Sequence, residues 1–524
     1  MCGIIACIGV ADPLLGPRML DAIGHRGEDE RRIERIGAQC LLGISRLSIV
    51  DARGGSQPLH DPTGRLHVVC NGEIYNHRSL RADLSHEFEF ATDSDTEVIL
   101  ALFRKYGPAC ARLLDGMFAF VVYDELTGDF LACRDRYGIK PLYYARTARA
   151  WFFASEAKAF AVLDENIEAF DLIEPGAQVY CSTLLRWHER GAPRAKSVPS
   201  AGMVRALLES SVAKHLMVDP HIGVGTFLSG GIDSSIVTAL CAKYRPDTTA
   251  FTVGVPGSPD IAAARQVCEH LAIAHVIRWL ELDEARALLP DAVRHTESFN
   301  PALVLEGLMT MLLAKAAREA GVKVVLCGEG ADEIFGGYGV FLNKSPDAFG
   351  RCMRLALDNI HNTECLRLDR ATMAYSLEAR VPFLDPALVE YVTNLPMTSL
   401  LGDPAGQAVE KMILRQSCED LLPGAIVWRS KMGFYHASGI LPVIQAVEAE
   451  ISDRDFEACR QAYPAARLRD KFSMFLFTHW QALFGAFAGE RAFERFGAYP
   501  VLQEVFDDRE AMFSGTGETE PALA

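Results

Sequence analysis

Short, predominantly apolar runs bounded by polar turns recur through the first third of the chain, at 41–44, 66–70, 118–123 and 151–154. Runs of this length predict strands. Between them, 94–106 sets Val98, Ile99, Leu102 and Phe103 on one face at helical spacing and predicts a helix. The expectation is a mixed, layered domain. The polar, proline-containing stretch 190–200 predicts a linker. Beyond it the pattern alternates: helix 203–215, strand 224–228, helix 234–244, strand 249–255 and strand 322–326. Alternation of this kind predicts a parallel sheet covered by helices on both faces. Such sheets bind ligands at the carboxyl ends of their strands. Two glycine-rich segments fall at those ends: Ser229-Gly230-Gly231-Ile232-Asp233-Ser234-Ser235 and Gly328-Glu329-Gly330-Ala331-Asp332-Glu333. The mostly polar stretch 507–524 predicts a disordered tail. The expected division is a first domain over 2–190, a second over 200–506, and that tail.

A length of 524 residues exceeds one typical core, consistent with at least two domains. The formal net charge of −16 argues against nucleic acid or an anionic membrane as the main partner, so an acidic substrate needs a locally positive site. Fourteen cysteines lie scattered without a CxxC pair, and the start lacks the basic and apolar regions of a signal peptide. A reducing cytoplasm is the expected compartment. No apolar run reaches the roughly 18–20 residues that span a bilayer, so no membrane partner is expected.

Cys2 follows the initiator methionine. Once Met1 is removed, its thiol lies beside an α-amine of pKa roughly 7.7–8.0, which can accept a proton without a separate histidine. Taken alone, Cys2 equally suits a small apolar residue opening a strand. The Ser229 loop joins a strand to a helix, so N–H groups around Gly230 and Gly231 can meet phosphate oxygens at a helix N-terminus, with Ser229, Ser234 and Ser235 adding hydroxyls. It lacks the lysine of a Walker A loop, and two glycines alone fit an ordinary turn. Asp233 suits a magnesium ligand better than a phosphate contact.

The SGGxDS pattern at 229–235 resembles the pyrophosphate loop of N-type ATP pyrophosphatases. Joined to an N-terminal cysteine, it makes the chain resemble the glutamine-dependent asparagine synthetase family. The blocks that carry the resemblance are Arg46-Leu47-Ser48-Ile49-Val50-Asp51, Asn71-Gly72-Glu73-Ile74-Tyr75-Asn76, Ser94-Asp95-Thr96-Glu97, Gly116-Met117-Phe118-Ala119-Phe120, Arg134-Asp135-Arg136-Tyr137-Gly138-Ile139-Lys140-Pro141-Leu142-Tyr143 and Glu378-Ala379-Arg380-Val381-Pro382-Phe383-Leu384-Asp385. The resemblance implies an α+β N-terminal-nucleophile fold, a four-layer αββα sandwich, followed by an α/β ATP-pyrophosphatase-type parallel-sheet domain. It implies that Cys2 attacks the glutamine side-chain amide, that Asn71 and the Gly72 N–H hold the oxyanion, and that Arg46, Asn71, Glu73 and Asp95 bind glutamine. It assigns ATP to Leu228, Ser229, Gly230, Gly231, Asp233, Ser234, Ser235, Val253 and Gly328, with magnesium on Asp233 and Asp332. Glu329 then deprotonates the attacking nitrogen, and Lys431 neutralises charge as pyrophosphate departs. Glutamine, ATP and a small carboxylic acid are the implied partners, with homodimers common in the family.

Two departures from the family pattern stand out. Glu28 replaces a usual proline in His25-Arg26-Gly27-Glu28-Asp29. In bacterial asparagine synthetases a Thr-Thr-Ile-Arg run helps hold aspartate; aligned without a gap, its threonines become Ala302 and Leu303 and its arginine becomes Leu305, while Cys327 and Ala331 replace serines around the second glycine loop. A buried carboxylate without an arginine partner is costly. The expected acceptor is therefore a less polar acid than aspartate, with ordinary asparagine synthesis as one alternative and intramolecular amide formation, as in β-lactam synthetases, as another.

Overall fold

A computed structural model describes residues 2–10, 12–163, 167–188, 197–342, 344–402, 409–430 and 439–488, together with 493, 496 and 497. The expected tail at 507–524 and most of the expected linker lie outside the described residues.

The first half builds two six-stranded antiparallel sheets. One runs Ala169–Leu172, Tyr143–Arg146, Trp151–Ala154, Cys2–Ile8, Cys40–Arg46, Glu30–Ile36; the other runs Thr183–Arg186, Ala177–Tyr180, Phe130–Arg134, Gly116–Asp124, Leu66–Ile74, Leu59–His60. Strand periodicity of two explains the layering. Ile4 and Ala6 face inward with Leu42 and Ile44, against Val69, Ala119, Val121 and Ala132 of the other sheet. Ile5 and Cys7 face the opposite way and meet Met19 and Leu20 of helix Leu15–Ala22. On the far side, helix Val98–Tyr106 lays Val98 and Leu102 on Val68, Cys70, Phe118 and Phe120. Helix, sheet, sheet and helix form the four-layer αββα sandwich. The predicted helix at 94–106 begins with the short 3₁₀ turn Asp95–Glu97, which Ser94 caps by accepting the Thr96 N–H.

The second half carries a five-stranded parallel sheet in the order Ala274–Trp279, Thr249–Gly254, Gly223–Phe227, Val322–Leu326, Glu378–Arg380. From Gly223–Phe227 the chain builds outward to one side, then returns to place Val322–Leu326 on the other. The crevice between these two strands is the topological switch point, and both glycine-rich segments open into it. The helix predicted at 234–244 begins earlier, at Ile232, because extended Gly231 is its N-cap; Asp233 thus sits in the first turn. The edge strand Ala274–Trp279 carries no apolar run, since none of its residues is buried.

Candidate active sites

The two sheets bring the N-terminal candidates together. Cys2 lies opposite Arg46 in the strand register, while Leu66–Ile74 of the facing sheet supplies Asn71, Gly72 and Glu73. The Cys2 backbone N–H donates to Asn71 Oδ1 at 2.9 Å. Asn71 is fully buried, and its Nδ2 has no partner among the described residues, which leaves a donor free for a developing negative charge. Gly72 adopts φ +142°, and a Cβ there would lie 2.0 Å from the Met117 carbonyl, so no side chain fits. Arg46 is buried and donates to the carbonyls of Val50 at 3.3 Å, Asp51 at 2.8 Å and Ala52 at 3.3 Å. Gly55 lies between the Arg46 guanidinium and Ser94, joining Arg46 to the Asp95 turn. Asp95 accepts the Ile74 N–H at 2.6 Å. Burial raises the carboxyls of Asp95 and Glu73, and Asp95 pushes Glu73 further up. Burial also raises the Cys2 thiol, opposed by Arg46. Beside Arg46 opens a depression of about 560 Å³, bordered by Glu30, Ser48, Ser56 and, from the second half, Lys323.

The first glycine loop is ordered by its own hydroxyls. Ser229 Oγ accepts the Gly231 N–H at 3.3 Å and lies 3.1 Å from Ser234 Oγ. Gly230 has φ +74°, and its Cβ would meet that of Ala263 at 2.5 Å. Helix Ile232–Tyr244 starts at Gly231 without a side-chain cap, so its first N–H groups are available to an anion. Gly328 of the second loop packs against Asp233 and Ser234 so closely that a Cβ would lie 2.8 Å from the Ser234 nitrogen. Ser235, Leu228 and Val253 are buried. The Ser235 hydroxyl has no partner among the described residues.

Asp233 and Asp332 come from different loops and converge on Lys411, whose Nζ lies 2.5 Å from one carboxylate and 2.6 Å from the other. Two carboxylates that close on one cation position fit a magnesium ion, which Asp233 and Asp332 would hold and which would neutralise phosphate charge. No three His, Cys, Asp or Glu side chains gather to hold a metal unaided among the described residues. Sequence patterns did not single out Lys411, which is 1% exposed in a segment without a motif, or Arg429, which binds the Ser229 carbonyl at 3.2 Å and Asp260 at 2.7 Å. Lys431 lies outside the described residues.

Glu329 corrects one expectation. The gap-free comparison leaves this region without an arginine, but Arg367 of helix Glu364–Met373 lies 3.4 Å from Glu329. It also lies 3.2 Å from Glu306, pairs with Glu364, and donates to Thr310 Oγ1 at 3.0 Å. The arginine reaches the site from a helix far along the chain, which local alignment of 302–305 cannot reveal. Leu303 and Leu305 are buried in helix Pro301–Glu319, capped by Asn300. Gly330 is the N-cap of the short helix Ala331–Phe335, so Glu329 lies just ahead of it. Burial raises its carboxyl and Arg367 opposes the rise. Glu333 instead accepts from the Tyr338 hydroxyl at 2.5 Å.

Comparison with known proteins places both halves. A family model described as a glutamine amidotransferase domain matches residues 1–178, and one described as asparagine synthase matches 203–346 and 342–482. A probable glutamine-hydrolysing asparagine synthetase of Schizosaccharomyces pombe is 36% identical over 512 residues, covering 88% of this chain and 90% of that protein. Asparagine synthetase B of Escherichia coli is 34% identical over 466 residues, covering 84% and 82%, and the Zea mays enzyme is 34% identical over 499 residues, covering 88% and 83%. With similarity of this extent running through both sheets' loops and the parallel sheet's switch point, the chain belongs to the glutamine-hydrolysing asparagine synthetase family.

Proposed function

We propose that this protein is a carbon–nitrogen ligase that hydrolyses glutamine within 2–190 and, within 200–506, uses ATP to form an amide on a carboxylic acid less polar than aspartate. Cys2 attacks the glutamine amide carbonyl. The free Asn71 Nδ2 and the Gly72 N–H receive the oxyanion, and the α-amine of Cys2 carries the proton to departing ammonia. Arg46 matches the glutamine α-carboxylate, and Asp95 with Glu73 matches its ammonium. In the second half the acid attacks the α-phosphorus of ATP, giving an acyl-AMP and pyrophosphate. The backbone of Leu228, Val253 and Gly328 surrounds the nucleoside, while the Ser229 loop receives the phosphates. Magnesium, held by Asp233 and Asp332, supplies charge neutralisation to the pyrophosphate when bound. Ammonia displaces AMP, Glu329 takes the proton, and Lys431 neutralises the leaving pyrophosphate. A reducing cytoplasm and a homodimer complete the proposal; the fourteen free cysteines support the first and the family resemblance the second.

The acceptor rests on one observation. The ion-pair partner of Glu329 is Arg367, which also pairs with Glu306 and Glu364 and is thus already neutralised by carboxylates. A guanidinium so paired offers a second carboxylate of the acceptor little net attraction. L-Aspartate is the second reading, favoured by the names of the relatives and by the presence of Arg367 itself. The test is acceptor-dependent pyrophosphate release with ammonium as nitrogen source, across a panel of acids that includes L-aspartate. Turnover confined to less polar acids supports the proposal; efficient turnover of L-aspartate with asparagine as product rejects it.

A further inference from the structure

We infer that Lys411 is an internal substitute for the metal: in the nucleotide-free enzyme its ammonium stands between Asp233 and Asp332, so a divalent ion enters only together with the triphosphate. This rests on the proposed assignment of these two carboxylates as metal ligands.

Three features carry it. The contacts are close and shared, 2.5 Å to Asp233 and 2.6 Å to Asp332, so the ammonium occupies the point on which both carboxylates converge. Lys411 is 1% exposed, whereas the aspartate side chains are 20% and 21% exposed, so solvent reaches the carboxylates but not the cation they share. Its seat is shaped for it, because a Cβ on Gly337 would lie 2.0 Å from Lys411 Cε. The Phe335-Gly336-Gly337-Tyr338 turn thereby admits the lysine to the pair.

Charge decides the consequence. Two carboxylates and one ammonium leave a single net negative charge, and a divalent ion on the same oxygens would meet the ammonium at contact range. The ion must displace Lys411 from at least one carboxylate, and a buried ammonium deprived of its partner is costly. A triphosphate arriving at the Ser229 loop supplies the missing anion. Asp233 lies in the first turn of the helix which that loop opens, so the phosphates come within reach of the displaced ammonium. Metal and nucleotide binding are then one linked event, reciprocal by necessity.

The test uses the full-length protein and Mn²⁺, with electron paramagnetic resonance reporting the free aquo ion, with and without α,β-methylene-ATP. Nucleotide occupancy is followed separately by equilibrium dialysis. Wild type is expected to leave Mn²⁺ free until the analogue is added. Lys411→Met is expected to bind Mn²⁺ without nucleotide, at least about tenfold more tightly than wild type, because the two carboxylates have lost their resident cation. Lys411→Met combined with Asp233→Asn should lose that gain. Mn²⁺ binding to wild type without nucleotide, as tight as with it, would overturn the inference; this arm needs no variant to fold. So would a folded Lys411→Met protein that binds Mn²⁺ with the analogue but shows no gain in its absence. If wild type binds the analogue while Mn²⁺ stays free, the metal-ligand assignment itself fails.

Discussion

Asn71 divides one side-chain amide between two partners. Its Oδ1 accepts the Cys2 N–H at 2.9 Å, and its Nδ2 stays buried with no acceptor among the described residues. An unsatisfied buried donor costs roughly 1–3 kcal/mol. In the proposed role a tetrahedral oxyanion would relieve that cost at the moment of reaction, so the group would favour the transition state over the resting enzyme. Asn71→Ala should therefore lower the kcat for glutamate release by about 10²–10³ while ammonium-driven amide formation stays near wild type. Equal losses in both assays would point to a folding defect. At this scale the candidate glutaminase residues could be named from the sequence because each stands in a motif with its own chemistry. Arg367 and Lys411 were not: each is a charged residue buried by tertiary contacts, and a cation with a carboxylate close by in sequence reads the same on a surface as in a site.

Helix Ala201–His215 shows how an element couples the two halves. Its last residue, His215, packs its ring at a tilt against Tyr75 of the glutaminase half with centroids 4.6 Å apart, and the His215 Nδ1 lies 2.8 Å from the Ser211 carbonyl. Burial pushes the imidazole down to about 3; the Ser211 carbonyl opposes this, while Arg380 and Lys214 add to it. The unfolded chain binds a proton near pH 6.5 that the folded chain refuses until about 3. This contribution to stability is therefore present above about 6.5 and lost on acidification toward 3, at about 1.4 kcal/mol per pH unit. Urea midpoints should fall between pH 7 and pH 5, and the fall should shrink in His215→Phe; identical slopes would refute the assignment. Strands such as Gly116–Asp124 were legible because nearly every residue is buried and apolar. Helix Glu364–Met373 was not, because Arg367, Asp369 and Arg370 occupy buried positions that a periodicity argument reserves for apolar side chains.

Across the whole molecule, the halves meet on a buried set of charges rather than an apolar seam alone. Arg26 lies 2.7 Å from Glu156 and 2.8 Å from Asp369, and Arg370 lies 3.5 Å from Glu156. Arg26 also donates to the Cys2 carbonyl at 3.2 Å. One guanidinium thus ties the strand of Cys2 to the helix that carries Arg367. Such networks fix geometry more than they add stability, but removing one member leaves a buried charge uncompensated. Asp369→Ala should cost about 3–5 kcal/mol in urea unfolding, and an unchanged midpoint would show that the joint is solvated. Cys2→Ala should abolish amide formation from glutamine yet preserve it from ammonium, since the two chemistries occupy separate sheets; loss of both would contradict that separation. We predict that nitrogen released at Cys2 reaches an acid less polar than aspartate. The most direct measurement is a competition in one tube: enzyme, ATP, magnesium, glutamine labelled with ¹⁵N at the amide, and equal concentrations of L-aspartate and the best acid from the panel, with products resolved by mass spectrometry. The label is predicted in the amide of the less polar acid; label predominantly in asparagine would contradict it.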